Sequence, residues 1–329
     1  MTDDWFRRRS SDWTRWDLAA LIDAKAARGC RVSVVVPARD EAATVGEVVT
    51  RLRADLMGAR PLVDELVVID SDSSDATARV AADAGAVVHA ASGIRPDLGV
   101  RTGKGEAMWK SLFVTTGDLL VFMDADLTAW ETHFVTGLLG PLLLDDGVDL
   151  VKAYYDRPLA TAPDAPLEGG RVTELVARPL LSLHWPELAG VVQPLAGEWA
   201  IRRDLFEELA VPCGYGVELA VLVDTYLAGG LDAIAQVDLG LRGHSHQSLR
   251  DLGVMALQQL AVVEERAGVE PGAGVRRETL TLRQYESVSG RTVPVDREVQ
   301  LSARPPVVDV PGYRPGAVAD LPDAREARC

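Results

Sequence analysis

The chain has 329 residues, of which 47% are hydrophobic, and its 49 acidic and 34 basic residues give a formal net charge of −15. Nucleic acid and anionic membrane surfaces would be repelled by that charge over a Debye length, so general affinity for either is excluded. The apolar runs are shorter than the roughly 18 to 20 residues that a membrane-spanning helix needs, and the N-terminus lacks the layout of a signal peptide. We therefore expect a cytoplasmic protein with a sizeable core.

The first 30 residues are predicted to form a helical segment of their own, with a helix over 18–27. The β-branched run over 31–37 then predicts a buried strand, because its proline lies at the end, where little of the ladder is lost. Apolar residues at helical spacing predict a helix over 42–56. The strand exit between these elements contains Pro37, Ala38, Arg39 and Glu41.

A second buried strand is predicted over 65–69, and it runs into a cluster of acid and hydroxyl residues that includes Asp70 and Ser71. A helix up to residue 84 and a short strand over 86–89 are expected next. Strand and helix alternate at the spacing of parallel βαβ units, which predicts an α/β fold. Open sheets of this kind bind their ligands at the carboxyl ends of the strands.

The loop over 101–106 has a glycine on each side of Lys104, just before a helix predicted from about residue 107. Glycines leave backbone N–H groups accessible at a helix N-terminus, and the lysine adds positive charge, so the loop suits an anion. The glycine spacing excludes a Walker loop. A simple glycine turn with a solvated lysine is the alternative.

Two carboxylates, Asp124 and Asp126, bracket Ala125 directly after an apolar run over 119–123. The run predicts a buried strand, so both acids emerge at its carboxyl end and point the same way, because side chains alternate along an extended segment. Such a pair suits a hard cation, Mg²⁺ or Mn²⁺, with a diphosphate beside it. The same three residues alone also occur in surface turns, but the preceding strand favours the metal site.

Residues 168–174 combine two glycines with Arg171 and Thr173 at a predicted helix start. An arginine and a hydroxyl delivered by a flexible loop suit a phosphate or a carboxylate. The alternative is a helix cap with a surface arginine.

Two later segments contain further candidates. Glu218 opens an apolar helix, where it either caps the first turn or presents a carboxylate to a ligand. A strand predicted over 234–241 is followed by Arg242, His244 and His246. One histidine beside carboxylates is acceptable at a magnesium or manganese site, although a loop histidine is commonly a solvated bystander.

After this strand a helix is predicted over 252–267, and from Gly268 onward the sequence shows no hydrophobic period. The last stretch, 305–329, is predicted to be irregular. We thus expect a main domain over 31–250 and a helical and irregular C-terminal extension over 251–329.

The order of six motifs is similar to that in the actinobacterial glucosyl-3-phosphoglycerate synthases. The motifs are Val-Val-Val-Pro-Ala-x-Asp-Glu, Val-Ile-Asp-Ser-x-Ser-x-Asp-x-Thr, Gly-Lys-Gly-Glu-Ala-x-Trp, Asp-x-Asp, Gly-Gly-Arg-Val-Thr-Glu-Leu and Gln-Pro-Leu-x-Gly-Glu. The resemblance covers about residues 12–250. It implies a GT-A fold, a Rossmann-like and mostly parallel sheet flanked by helices. It also implies retaining transfer of glucose from UDP-glucose to 3-phosphoglycerate with Mg²⁺ or Mn²⁺.

The same resemblance implies a role for individual residues. The nucleotide sugar is implied to contact Pro37, Ala38, Arg39, Glu41, Asp70, Ser71, Lys104, Asp124 and Ala125. The metal is implied to bind Asp126 and His244, and the acceptor to bind Gly170, Arg171, Thr173 and His246. The residues implied to be catalytic are Asp126 at the metal, Glu218 at the sugar and Arg242 at the phosphates.

Two segments depart from the mycobacterial pattern. His246 replaces an asparagine, and Arg39 and Asp40 stand where those members have leucine and asparagine. The mannosyl-3-phosphoglycerate synthases share the pattern and use GDP-mannose, so they are the alternative, followed by a catalytically silent nucleotide-binding protein. The expected partners are UDP-glucose, 3-phosphoglycerate and a second copy of the chain, with neither nucleic acid nor membrane.

Overall fold

The computed structural model describes residues 2–156, 170–243, 248–269 and 278–318. The strands are β1 (Ser10–Asp12), β2 (Val32–Ala38), β3 (Glu65–Asp70), β4 (Val87–Ala90), β5 (Leu119–Phe122), β6 (Leu150–Asp156), β7 (Trp199–Arg202), β8 (Val211–Pro212), β9 (Ile234–Leu241), β10 (Thr279–Val288), β11 (Arg291–Gln300) and β12 (Ala303–Arg304). The helices are α1 (Thr2–Arg9), α2 (Leu18–Arg28), α3 (Val45–Leu56), α4 (Thr77–Asp83), α5 (Lys104–Ser111), α6 (His133–Leu144), α7 (Arg178–His184), α8 (Arg203–Glu207), α9 (Val217–Gly229) and α10 (Leu249–Arg266). None of these helices combines the length and the apolar character that crossing a membrane requires.

The main sheet of the described chain has eight strands in the order β1-β9-β6-β7-β5-β2-β3-β4. Its neighbouring strands are parallel except for β7, which runs antiparallel to both β5 and β6. Along β2, Val34 and Val36 pack into one apolar cluster, whereas Val35 packs into the cluster on the other side. Burial on both faces explains the continuous apolar runs of the sequence. The predicted mostly parallel α/β sheet flanked by helices is confirmed.

The N-terminal residues extend this sheet at its edge. β1 pairs in parallel with β9, so the edge strand comes from the segment that the sequence pattern sets apart as the first 30 residues. Trp5 is buried, and its Nε1 donates to the carbonyl of Leu231 at 2.8 Å. The indole thereby attaches α1 to the turn that precedes β9.

Two elements differ from the sequence predictions. The sequence predicts no strand directly before the helix at Arg203, whereas Trp199–Arg202 forms β7 between β5 and β6. The helix predicted from about residue 107 begins at Lys104, so that lysine lies in the first turn of α5 rather than in a loop before it. β7 runs directly into α8 at Arg203 with no turn residue between them, so the sequence gives no boundary for a separate strand.

No strand is predicted after Gly268, where the sequence shows no hydrophobic period, yet β10 and β11 form an antiparallel hairpin. Ser289 and Gly290 close it with φ angles of 49° and 78°. A two-residue loop with positive φ at both positions matches the twist of the flanking strands. The hairpin is largely exposed, so its sequence has little hydrophobic contrast even though its residues alternate.

A buried ion pair attaches the chain after the hairpin to α5. The Glu106 carboxylate is almost fully buried and accepts hydrogen bonds from Nη2 and Nε of Arg304 at 2.6 and 2.7 Å. Arg304 also donates to the carbonyls of Leu98 and Gly99 at 2.7 and 3.0 Å. The last strand of the described chain, β12, therefore holds the helix turn that begins with Lys104.

Replacing Arg304 by alanine is expected to lower the free energy of unfolding by about 1.5 to 3 kcal/mol, because Glu106 would lose two charge-assisted hydrogen bonds and keep the longer contact of 3.7 Å with Nζ of Lys110. Chemical denaturation of the wild type and of Arg304→Ala measures this difference.

The matched control is Arg283→Ala in the hairpin. Arg283 also makes two hydrogen bonds of 2.7 Å to a carboxylate, that of Asp296, but this pair is exposed to solvent. A surface pair contributes about 0 to 1 kcal/mol, so the control should unfold nearly like the wild type. Equal losses in the two variants would contradict the role given to burial.

Candidate functional site

A cavity of about 920 Å³ lies at the edge of the sheet where β2, β3, β5 and β9 end. The wall contains most of the residues singled out from the sequence, namely Pro37, Ala38, Arg39, Glu41, Ser71, Lys104, Asp124, Ala125, Asp126, Gly170, Arg171, Thr173, Glu218 and Arg242. They come from distant parts of the chain and meet because parallel strands bring their carboxyl ends to one edge.

Three predicted residues do not lie on the described wall. Asp70 is 5% exposed and lies behind it, where it accepts hydrogen bonds from Oγ and N of Ser73 at 2.5 and 3.2 Å. His244 and His246 lie outside the described residues. Asp70 thus shapes the cavity through Ser73 rather than facing it.

Hydrogen bonds join the loops that follow β2 and β3. Asp40 has a φ of 56°, in the left-handed region that aspartate tolerates better than most side chains. Its backbone N donates to Oγ of Ser73 at 2.9 Å, and its Oδ1 accepts from N of Ser74 at 2.7 Å. The two loops that line one end of the cavity are therefore preformed.

Two cations from different elements share the carboxylate of Asp124. Nζ of Lys104 lies 2.5 Å from Oδ1 of Asp124 and 2.7 Å from Oε1 of Glu218. Nη2 of Arg242 lies 2.6 Å from Oδ2 of Asp124. Lys104 is thus paired rather than solvated, and the side chain of Glu218 binds that lysine instead of capping α9.

Charge pairing in this cluster outweighs the cost of burial. Burial by itself would lower the pKa of Lys104, but the carboxylates of Asp124 and Glu218 raise it above its ordinary value. Burial would likewise lower the pKa of Arg242, yet the charge of Glu198, followed by Tyr155 and Asp124, raises it. Both side chains therefore stay protonated and supply positive charge to the cavity.

Asp126 is less well neutralised than Asp124. Among the described residues, its ion-pair partner is Nη2 of Arg242 at 3.6 Å. Burial, and then the neighbouring charge of Asp124, raise the pKa of Asp126. Burial and the charge of Asp126 raise the pKa of Glu41 as well. A cation bound here would stabilise both carboxylates in their ionised form.

A third basic residue, Lys152, is buried beneath this cluster. Its Nζ donates to the carbonyl of Ala196 at 2.7 Å. Burial lowers the pKa of Lys152 to about 7, although the carboxylate of Glu218 acts in the opposite direction. Near neutral pH this side chain is therefore not a permanent charge.

The cluster fits a divalent cation. Its acids are Asp124, Asp126, Glu198 and Glu218, and its permanent cations are Lys104 and Arg242. The acids of the cluster outnumber these two cations, which favours the binding of a divalent cation such as Mg²⁺ or Mn²⁺. No group of three histidine, cysteine or acidic residues in the described ranges is arranged to hold a metal ion. Further ligands would have to come from diphosphate oxygens and water, which is how Mg²⁺ commonly binds.

Comparison with known proteins agrees with this geometry. The model of glycosyl transferase family 2 matches residues 33–209. A glucosyl-3-phosphoglycerate synthase of Mycolicibacterium paratuberculosis is 44% identical over 310 residues, which span 93% of this chain and 92% of that protein. This chain belongs to the glucosyl-3-phosphoglycerate synthase family.

Solved structures of family members from Mycobacterium tuberculosis have the same fold. One, in complex with Mn²⁺, UDP and phosphoglyceric acid, has a TM-score of 0.80 at 42% identity and covers 91% of this chain and 98% of its own. Another, in complex with Mn²⁺ and UDP-glucose, has a TM-score of 0.78 at 43% identity, with coverage of 89% and 95%.

Part of the cavity wall in this family member was not predicted from the sequence. α10 contributes Leu252, Met255 and Gln258, and the end of β11 contributes Val299. Oε1 of Gln258 accepts from the backbone N of Tyr215, another wall residue, at 2.9 Å. These residues belong to none of the six sequence motifs. The apolar spacing of α10 indicates that one face of the helix is packed, but it does not indicate that this face lines a cavity.

Gly197 is a second residue that sequence reasoning did not single out for the site. It precedes β7, whose antiparallel direction brings its amino end to the edge where β5 and β6 end. A Cβ at this position would lie 2.1 Å from Oδ2 of Asp124. Only glycine allows the backbone to approach that carboxylate so closely.

Gly197→Ala is expected to displace the Asp124 side chain from Arg242. Overpacking of this kind costs about 1 to 3 kcal/mol. We expect UDP affinity to fall about tenfold or more, since tenfold corresponds to about 1.4 kcal/mol. Isothermal titration calorimetry with UDP in the presence of Mn²⁺ measures this affinity.

Gly58→Ala is the control, because a Cβ at Gly58 would meet no atom within 4 Å. It should bind UDP like the wild type. If Gly197→Ala did the same, the contact between Gly197 and Asp124 would have no part in binding.

Proposed function

We propose that this protein transfers glucose from UDP-glucose to 3-phosphoglycerate, with retention of the anomeric configuration and with Mg²⁺ or Mn²⁺ at the diphosphate. The observation that carries the proposal is the convergence of Lys104, Arg242 and the Asp124–Asp126 pair on one cavity. The relatives with the same fold bind UDP-glucose, phosphoglyceric acid and Mn²⁺.

The electrostatics of the cavity suit the departure of a nucleoside diphosphate. Breaking the bond between the sugar and the diphosphate builds negative charge on the leaving group. Lys104 and Arg242 stay charged and face the cavity, so both can stabilise that charge. A bound metal ion would act there as a Lewis acid. Asp126, with His244 as a predicted second ligand, would hold it.

The acceptor site is proposed at the loop that carries Gly170, Arg171 and Thr173. These three residues line the cavity, with Arg171 exposed and Thr173 buried. A planar guanidinium binds phosphate or carboxylate through two parallel hydrogen bonds, and 3-phosphoglycerate has both groups. His246 remains a prediction for this site.

Retention is proposed to occur by attack on the front face of the sugar, assisted by the leaving phosphate. The alternative, a covalent sugar intermediate, needs a carboxylate nucleophile in the cavity. Glu218 is paired with Lys104 at 2.7 Å, and Asp124 is paired with both Lys104 and Arg242. These two carboxylates are engaged by cations and Asp126 is assigned to the metal ion, which supports the front-face route.

We also infer that the protein acts as a cytoplasmic homodimer. Cys30 and Cys213 are free thiols, which fits a reducing compartment. The β10–β11 hairpin is bonded to α10 through Arg250 and Asp251, and it exposes the side chains of Tyr285 and Val288. A second copy that covers the hairpin would explain its length, and light scattering in solution tests this.

A competition assay tests the function directly. With UDP-glucose and GDP-mannose both present, together with 3-phosphoglycerate and Mg²⁺, we expect kcat/KM for UDP-glucose to be higher by about tenfold or more. A loop as compact as that after β2 leaves polar groups unpaired or crowded when a purine enters. Mass spectrometry of the products identifies the sugar transferred, and mainly mannosyl product would favour the mannosyl alternative.

Two controls accompany the assay. Asp126→Ala should lose about a thousandfold in rate, and EDTA should abolish the activity of the wild type, because the leaving diphosphate would no longer be neutralised. Full activity of Asp126→Ala in EDTA would exclude the metal from the reaction.

Arg171→Ala is expected to raise KM for 3-phosphoglycerate about tenfold or more while KM for UDP-glucose stays nearly unchanged. A charge-assisted hydrogen bond to phosphate or carboxylate, worth about 1.5 to 3 kcal/mol, would be lost. Thr173→Ala should have the same effect to a smaller extent. Steady-state kinetics with each substrate varied in turn separates the two constants.

The control is Arg79→Ala, at an exposed position on α4. It lies outside the cavity and should leave both constants unchanged. If Arg171→Ala behaves like this control, the acceptor binds elsewhere.

A further inference from the structure

Glu198 is fully buried and does not line the cavity, but it binds Arg242 through two hydrogen bonds. Its Oε1 accepts from Nη2 and Nε of Arg242 at 2.9 and 3.0 Å. Its Oε2 accepts from the hydroxyl of Tyr155 at 2.6 Å. The carbonyl of Glu198 also accepts from the backbone N of Ala153 at 3.1 Å. The carboxylate is thus fixed to β6.

A single nitrogen of Arg242 is shared among three carboxylates. Nη2 lies 2.6 Å from Asp124, 2.9 Å from Glu198 and 3.6 Å from Asp126. Asp124 and Asp126 face the cavity, whereas Glu198 does not. The position of the guanidinium is therefore set by acids on the cavity wall and by one behind it.

A divalent ion and the guanidinium of Arg242 need the same carboxylates. In a buried site their competition is strong, because charges interact more strongly there than in water. Glu198 accepts one hydrogen bond from Nε of Arg242 and another from Nη2, which also binds Asp124. Part of the positive charge is thereby neutralised behind the wall, and the contact between Arg242 and Asp126 is long, at 3.6 Å.

We propose that Glu198 is a positioning residue which sets the metal affinity of the Asp124–Asp126 pair by holding Arg242 away from Asp126. This rests on the proposed metal role of Asp126. Without the charge of Glu198, the guanidinium would move fully onto the two aspartates and oppose the metal ion. Binding of the nucleotide without metal would change much less, because Arg242 would remain charged and in the cavity.

Glu198→Gln tests the proposal, since glutamine keeps the shape and one acceptor oxygen but removes the charge. We expect the Kd for Mn²⁺ at saturating UDP, measured from the EPR signal of free Mn²⁺, to rise about tenfold or more. The Kd for UDP in the absence of metal, measured by isothermal titration, should change by less than about threefold. An unchanged Mn²⁺ affinity would overturn the proposal.

Tyr155→Phe is the matched variant, because it removes one hydrogen bond of Glu198 and keeps the charge. Its Mn²⁺ affinity should stay within about twofold of the wild type. If Glu198→Gln weakened UDP and Mn²⁺ equally and also melted at lower temperature, the role of Glu198 would be merely structural, and the proposal would fail.

Asp126→Ala separates this inference from the proposed function. If Asp126→Ala loses Mn²⁺ binding and Glu198→Gln does not weaken it, the metal site stands and only the role of Glu198 is wrong. If Asp126→Ala binds Mn²⁺ as the wild type does, the metal site itself has been misassigned.

Discussion

The site depends on one carboxylate, that of Asp124, which binds two cations that approach from different elements. Lys104 comes from the first turn of α5, and Arg242 follows β9 at the far side of the sheet. Without the acid between them the two cations would repel each other in a poorly solvated cavity. Buried ion pairs are costly to desolvate and contribute little net stability, but breaking one is strongly destabilising. The cluster therefore specifies one arrangement of the strand ends.

The direction of β7 is the constraint that completes this arrangement. A parallel strand between β5 and β6 would bring its carboxyl end to the cavity, whereas the antiparallel β7 brings its amino end there. Gly197 and Glu198 lie at that end of β7. Gly197 approaches the carboxylate of Asp124, and Glu198 binds Arg242 from behind the cavity wall. Backbone direction thus decides which residues support the two functional acids.

The sequence predicts β2, β3 and β5 and the residues at their ends because each strand is a continuous apolar run that stops at a polar segment. An apolar run predicts a single strand and not its neighbours. It therefore does not show that Lys104 pairs with Asp124, or that Glu198 lies behind Arg242. The hairpin is different, since its signal was present as alternating residues around Ser289 and Gly290. It was missed because both of its faces are partly solvated and the hydrophobic contrast is low.

The ion network is assembled from two parts of the chain. Lys104 and Asp124 lie within the residues matched by the family 2 model, whereas Glu218 and Arg242 lie after them, as do α10 and β11 on the cavity wall. The pair between Glu106 and Arg304 joins the same two parts two residues along α5 from Lys104. Asp124, Glu198 and Glu106 of the earlier part thus each have a cationic partner in the later part. A change that loosens the C-terminal residues would leave acids and cations of the earlier part uncompensated. Stability and the electrostatics of the cavity are therefore coupled through the same contacts.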